Sequence, residues 1–177
     1  MKKLLAVLIA AMLCLTVCLP AMAETTYTIG ICQIQKHAAL AAATQGFKDA
    51  LIEALGAENL TFQEKDAGGE YANCGTIMDG FVASNVDMIL ANATAPLQAA
   101  ASATADIPIL GTSITDYATA LNIANWTGTV GGNISGTSDL APLDQQAAMI
   151  QELFPDAETV GLLYCSGEPN SIYQVEL

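Results

Sequence analysis

The sequence predicts an α/β fold in which a parallel sheet is flanked by helices. Two observations carry this expectation. Short apolar runs that read as buried strands alternate with longer stretches of helical spacing, the signature of βαβ units. Each strand also runs into small polar residues just before the next helix begins, so the same strand, polar loop and helix start recurs along the chain.

The clearest instance is Val86 to Pro96. Met88 to Ala91 is a short apolar run that stops at Asn92, and Pro96 opens an Ala-rich helical stretch to Ala105. Proline suits the first helical position because its missing N–H would be unpaired there. The first strand is expected over Thr26–Cys32, followed by the polar loop Gln33–His37. Ala38 to Leu55 has Leu40, Phe47, Leu51 and Leu55 at helical spacing and Gly56 as a stop signal. Leu60–Glu64 reads as a second strand, Asp66–Glu70 as a loop, and Tyr71–Ser84 as a second helix with Cys74, Ile77, Met78, Phe81 and Val82 turned inward. Ile107–Thr112 is the fourth strand, with Ser113–Asp116 as its polar end. Gly128–Ser138 is rich in Gly, Ser, Thr and Asn and reads as a connector or an irregular edge strand. Leu143–Phe154 is amphipathic, Thr159–Cys165 is a further apolar strand, and Ile172–Leu177 begins something helical. A strand that late in the chain has no following elements to cover its faces. One complete lobe over residues 24–136 and the opening of a second over 137–177 is therefore expected, the sequence being a fragment of a two-lobed whole.

The 177 residues do not all belong to the fold. Lys2 and Lys3, the apolar run Leu4–Leu19 and Ala21-Met-Ala23 form a secretory signal over residues 1–23, cleaved before Glu24. Its apolar run is short for a membrane span. Leu13 and Val17, which precede Cys14 and Cys18, do not favour a lipid anchor, so an exported, periplasmic or cell-surface protein is expected. The formal charge is −13 and arginine is absent, which excludes a nucleic-acid-binding surface. Cys32, Cys74 and Cys165 match no metal-ligand spacing and read as small apolar residues. No cofactor is expected: Gly128-Thr-Val-Gly131-Gly132 is not a dinucleotide fingerprint, and no phosphate-binding loop is present.

In a parallel sheet the polar strand ends share one edge, where ligands bind. Gln33, Thr94, Ala95, Thr115 and Asp116 fall there. Asp139, Glu168, Asn170 and Ser171 would belong to the second lobe and face them across a cleft. Helix N-termini after Thr94 and Asn170, with Thr and Ser hydroxyls, would hold one carboxylate. Asp116, Asp139 and Glu168 would pair with an ammonium, and an amino acid has both groups. Each residue also has a local reading: Thr94 and Ser171 as helix caps, Asp116 as a turn former, Glu168 as a solvated charge. His37, the sole histidine, reads as a helix-start residue rather than a catalytic base, because no nucleophile accompanies it. Asn92-Ala-Thr94 matches a glycosylation sequon, a pattern common by chance.

Ile29-Gly-Ile-Cys-Gln33, His37-Ala-Ala-Leu40, Gly46-Phe-Lys-Asp49, Ala93-Thr94, Asp106-Ile-Pro-Ile109, Thr115-Asp116, Gly132-Asn-Ile-Ser-Gly136 and Gly167-Glu-Pro-Asn-Ser171 occur in one order along the chain. That series resembles the ABC transporter substrate-binding proteins that include tryptophan and tyrosine binders. The resemblance implies a periplasmic-binding-protein-like type I lobe, a non-enzymatic role, and delivery of a solute to an ABC permease. The solute it implies is an aromatic or other apolar amino acid. A monomer closing about Gly128–Ser138 is expected. The chain departs from the family in having Ala38 where Pro is frequent, Ala41 where an acid is frequent, and Ala95 between Thr94 and Pro96. A sensor domain of a membrane receptor and a secreted α/β hydrolase are the competing readings; the second lacks a nucleophile elbow.

Overall fold

The computed structural model describes residues 25–177, so the expected export signal, with Cys14 and Cys18, lies outside the described residues. Five strands form one parallel sheet: β1 (Tyr27–Gln33), β2 (Leu60–Asp66), β3 (Met88–Asn92), β4 (Ile109–Ile114) and β5 (Ile134–Ser138), in the order β2-β1-β3-β4-β5. The helices are α1 (Ala38–Leu55), α2 (Tyr71–Ala83), α3 (Thr94–Ala103), α4 (Tyr117–Leu121), α5 (Leu143–Leu153) and α6 (Pro169–Glu176), with a 3-10 turn at Ala57–Asn59.

The period-2 alternation of a strand explains why β1 and β3 are apolar at nearly every position. Ile29, Ile31 and Leu90 face one way, against Phe47 and Leu51 of α1. Cys32, Ile89 and Ala91 face the other, among Cys74, Met78 and Phe81 of α2 and Leu97 and Ala100 of α3. Gly30 lies in that second face for a steric reason: a Cβ there would stand 2.8 Å from the Phe81 ring. At the far edge Gly111 of β4 and Gly136 of β5 are register partners, and a Cβ on either would collide with the Tyr117 hydroxyl of α4. That hydroxyl donates to Gly111 O at 3.0 Å and lies 3.3 Å from Thr137 O, so α4 is anchored over the β4–β5 seam.

Several boundaries differ from those read in the sequence. β4 starts at Ile109, because Pro108 has no N–H for the ladder; it runs on through Ser113 with a bulge between Gly111 and Ile114. Helix α3 starts at Thr94, not Pro96, which is its third residue. Gly128–Ser138 resolves into a glycine-rich loop and the edge strand β5. Thr159–Cys165, expected as a strand, is not one: it pairs with no neighbour, and Val160, Leu162 and Leu163 are exposed. An apolar run becomes a strand only where another strand accepts its hydrogen bonds. Helix α6 begins at Pro169, earlier than expected, and packs on α4.

Two glycines of opposite environment test this packing. Gly30→Ala is expected to lower the unfolding free energy by about 1–3 kcal/mol through overpacking against Phe81. Gly46→Ala, on the exposed face of α1 with open space around it, should raise it by about 0.5–1 kcal/mol. Urea titrations of the two variants should move in opposite directions.

Candidate functional site

Because all five strands are parallel, their carboxyl ends lie on one edge. Gln33 is in register with Asp66 and Asn92, and Asn92 with Thr112. Backbone strain gathers at this edge. Ala93 has φ 100° and ψ 167°, a region open in practice only to glycine, and Ser113, on the adjacent strand, has φ 56°. The other positive-φ residues that are not glycine are Asn85, Asn122 and Asn125, a residue type that tolerates this conformation. The Ala93 N–H donates to Thr112 O at 3.0 Å, which holds the kink against β4.

The kink delivers α3 with its start uncapped. Ala93 is the N-cap residue, and no side chain bonds the first turn. Pro96 has no N–H, and the Leu97 N–H returns to Ala93 O at 3.1 Å. The N–H groups of Thr94 and Ala95 are therefore left without an intrahelical partner, on residues that are almost fully buried. Thr94 is the first residue of the helix rather than its cap, a correction to the local reading. Such an N-terminus attracts an anion.

The next helix is capped. The Asp116 carboxylate accepts from Thr119 N through Oδ1 at 2.7 Å, and Thr115 is buried beside it, its carbonyl accepting from Ser138 Oγ at 2.7 Å. Asp116 thus caps a helix rather than forming the turn expected of it, with Oδ2 free of that bond.

At the β1 end Gln33 is braced on both sides: its Nε2 donates to Gln35 O at 2.6 Å, and its Oε1 accepts from Thr44 Oγ1 at 3.3 Å. Behind it stands a residue absent from the expected set. Asn92 is fully buried, and its Nδ2 donates to Leu40 O at 2.7 Å and to Thr44 Oγ1 at 2.9 Å. Its Oδ1 has no partner. Asn92, Thr44 and Gln33 make one network tying α1 to the carboxyl edge, and this burial removes Asn92 as a glycosylation acceptor. A lone polar residue ending an apolar strand was the available signal. An opening of about 210 Å³ at this end takes in Gln33, Thr44 and Asp66 but not Thr94, Asp116 or Asn170.

From the later half, Asn170 and Ser171 lie in the first turn of α6 and not in the preceding loop; neither caps it, the N-cap being Glu168. They are half-buried on the helix that packs against α4, the helix Asp116 caps. Glu168 reaches the start of α2: burial raises the Tyr71 phenol, and the nearby Glu168 and Cys165 raise it further. Asp139 is exposed, its N–H bonded to Ile114 O at 3.0 Å. His37 caps α1, Nδ1 accepting from Ala39 N at 3.2 Å, as the structural reading expected. Trp126, half-exposed, lines an opening of about 290 Å³ with Tyr117 and Gly131. Among the described residues no cluster of side chains could hold a metal, and no helix is long and apolar enough to cross a membrane.

Fold and edge together define an open α/β lobe whose strands all end on one edge, the edge at which such sheets generally take ligands. The family described as "ABC transporter substrate binding protein" matches residues 28–177. The tyrosine-binding protein of Clostridioides difficile (strain R20291) is 35% identical over 150 residues, covering 84% of this chain and 43% of that protein. The crystal structure of an ABC domain from Streptococcus pneumoniae in complex with L-Trp superposes with a TM-score of 0.79 at 34% identity, over 85% of this chain and 51% of that one. A conserved domain protein from Vibrio cholerae gives the same TM-score, 0.79, at 36% identity and the same coverage. The chain belongs to the ABC transporter substrate-binding proteins, a family of binding proteins rather than enzymes. It spans about half the length of these relatives.

Two measurements probe the edge. Ala93→Gly relieves the unfavourable backbone and should stabilise the protein by about 1 kcal/mol in urea titration, the gain being reduced by glycine's freedom in the unfolded chain. The Tyr117 hydroxyl is pushed from 10.0 up to about 12, by burial and then by Asp139. Its neutral form is thus favoured in the folded state, and the stability it supplies is lost as pH rises from about 10 to 12. Tyr117→Phe should remove that share of the alkaline loss while lowering stability by about 1 kcal/mol at neutral pH.

Proposed function

We propose that this chain is the first lobe, with the opening of the second, of an extracytoplasmic solute-binding protein that captures an amino acid with an aromatic or other apolar side chain. The protein hands its ligand to an ABC permease in the membrane. The first lobe runs from residue 24 through β5, whose last residues, Thr137 and Ser138, lie just past the expected boundary at 136 because they pair with β4, and the second lobe starts after it; residues 1–23 direct export.

The observation that carries this reading is the uncapped start of α3. Ala93 holds a strained conformation whose effect is to point the free N–H groups of Thr94 and Ala95 at the carboxyl edge. Strain of this kind persists where the surrounding structure enforces it, and it collects at ligand clamps. In the proposed complex those two N–H groups and the Thr94 hydroxyl take the ligand carboxylate. The free oxygen of Asp116 takes its ammonium, a charge-assisted pair. Gln33 and Thr115 contact the ligand from the first lobe. Asp139, Glu168, Asn170 and Ser171 approach from the second as the lobes close about the chain that leaves β5. The apolar identity of the side chain is supported by the relatives, one named a tyrosine-binding protein and one crystallised with L-Trp.

Titration calorimetry of the full-length protein with each standard amino acid tests the proposal. Binding of tryptophan, tyrosine or another apolar amino acid is expected, with no heat from aspartate or glutamate; no heat from any amino acid would overturn it. Asp116→Asn should weaken binding by about 1.5–3 kcal/mol, the range of a hydrogen bond to a charged group. A des-amino analogue of the ligand should lose affinity against the parent protein and much less against the variant.

A further inference from the structure

Of the 18 residues of α1 only Thr44 is buried, and it meets Asn92, the fully buried last residue of β3. Burying a hydroxyl and an amide is unfavourable unless they are paired. Here the pairing has a direction. The Asn92 amide is oriented by Leu40 O, which can only accept and lies 2.7 Å from Nδ2. The Gln33 amide is oriented in the same way by Gln35 O, 2.6 Å from Nε2. With both amides fixed, Thr44 Oγ1 accepts from Asn92 Nδ2 at 2.9 Å and gives its one proton to Gln33 Oε1 at 3.3 Å. The Asn92 Oδ1 stays buried without a partner, a cost that an apolar side chain of the same size would not carry. What the Asn92 amide contributes therefore lies in where its bonds lead.

They lead to two parts of the carboxyl edge. Asn92 precedes Ala93, whose φ of 100° sets the free Thr94 and Ala95 N–H groups at that edge. Alanine opposes this conformation, which persists only where the surroundings over-determine it. On one side the Ala93 N–H is tied to Thr112 O at 3.0 Å. On the other, Asn92 is held in the ladder between Gln33 and Thr112 and tied to α1 through Leu40 and Thr44. Gln33 stands at the far end of the same relay.

We propose that Asn92 and Thr44 are positioning residues of the ligand site. Their relay clamps the end of β3 to α1, holds Ala93 in its strained turn and fixes the Gln33 side chain. The N–H groups of Thr94 and Ala95 are then in place before a ligand arrives, and such preorganisation adds affinity by removing an ordering cost from binding. Both residues act through Ala93 and Gln33 and not by touching the ligand. The proposal rests on the amino-acid-binding reading above.

The test joins two measurements on the full-length protein: titration calorimetry with L-tryptophan and L-tyrosine, and NMR of residue 93 without ligand, whose Cα and Cβ shifts report a positive φ. Asn92→Leu removes both donated bonds at similar volume. Thr44→Val breaks the relay, leaves the Leu40 bond, and is the milder variant should Asn92→Leu fail to fold. In Asn92→Leu the residue 93 shifts are expected to move toward those of negative φ and affinity to fall about tenfold, with a smaller loss in Thr44→Val. Adding Ala93→Gly to either should restore most of that loss, because glycine adopts the turn unaided. A role in stability alone would lower the melting temperature of both variants and move neither the shifts nor the affinity. Unchanged affinity in folded Asn92→Leu would overturn the proposal and leave the amino-acid reading standing, since the parent still binds. A loss that Ala93→Gly fails to restore would also overturn it. The shifts need no ligand, so even where the parent binds neither probe the clamp is upheld by moved shifts and overturned by unchanged ones.

Discussion

The two-sided burial of β1 and β3 is the constraint from which the rest of this lobe follows. A strand covered on both faces can be paired only in the plane of the sheet, and parallel pairing needs a crossover helix for each step. Ile29, Ile31 and Leu90 need α1, and Cys32, Ile89 and Ala91 need α2 and α3. Once those demands are met, every strand leaves the sheet at the same edge. The polar residues that follow are carried to that edge by the sheet itself, and hydrogen bonds such as Ser138 Oγ to Thr115 O then join some of them.

That edge is costly to build. Ala93 and Ser113 occupy left-handed backbone, the first turn of α3 is uncapped, and the Asn92 amide oxygen is buried without a partner. Other positions meet local rules: His37 and Asp116 cap their helices, glycines stand where Phe81 and Tyr117 leave no room, and Lys48 pairs with Glu64 across α1 and β2, while α2, α5 and α6 also start without a side-chain cap. Among the described residues, the positive-φ positions that are neither glycine nor asparagine, Ala93 and Ser113, both fall at this edge, and strain gathered in one place marks a functional region more sharply than any single residue there.

The positions of α1, α2 and β3 were readable because periodicity and stop signals agree there: helical spacing up to Gly56 in α1, an apolar run closed by Asn92 in β3. The errors have a common form. Thr159–Cys165 has strand composition but no partner, and composition carries no information about whether a partner exists. Pro96 was read as the first residue of α3 because proline favours that position, yet Ala93 starts the helix earlier by adopting a conformation that alanine's own preferences oppose. In the candidate site, Thr94, Thr115 and Asp116 were legible as strand-end polar groups. Asn92 was legible as the polar end of β3, but its link to Thr44 was not, since a buried hydrogen-bond network joins residues far apart in the chain.

By itself, then, the sequence determined the alternation of strands and helices and hence the parallel sheet, the common edge and the residue types present along it, because these depend on local spacing and on which side chains avoid water. The tertiary structure alone decided which N–H groups stay free, which carboxylate serves as a cap, and which two of the three thiols past residue 24 are buried. Those outcomes turn on contacts between segments that packing brings together, and on a strained residue that only its neighbours can hold in place.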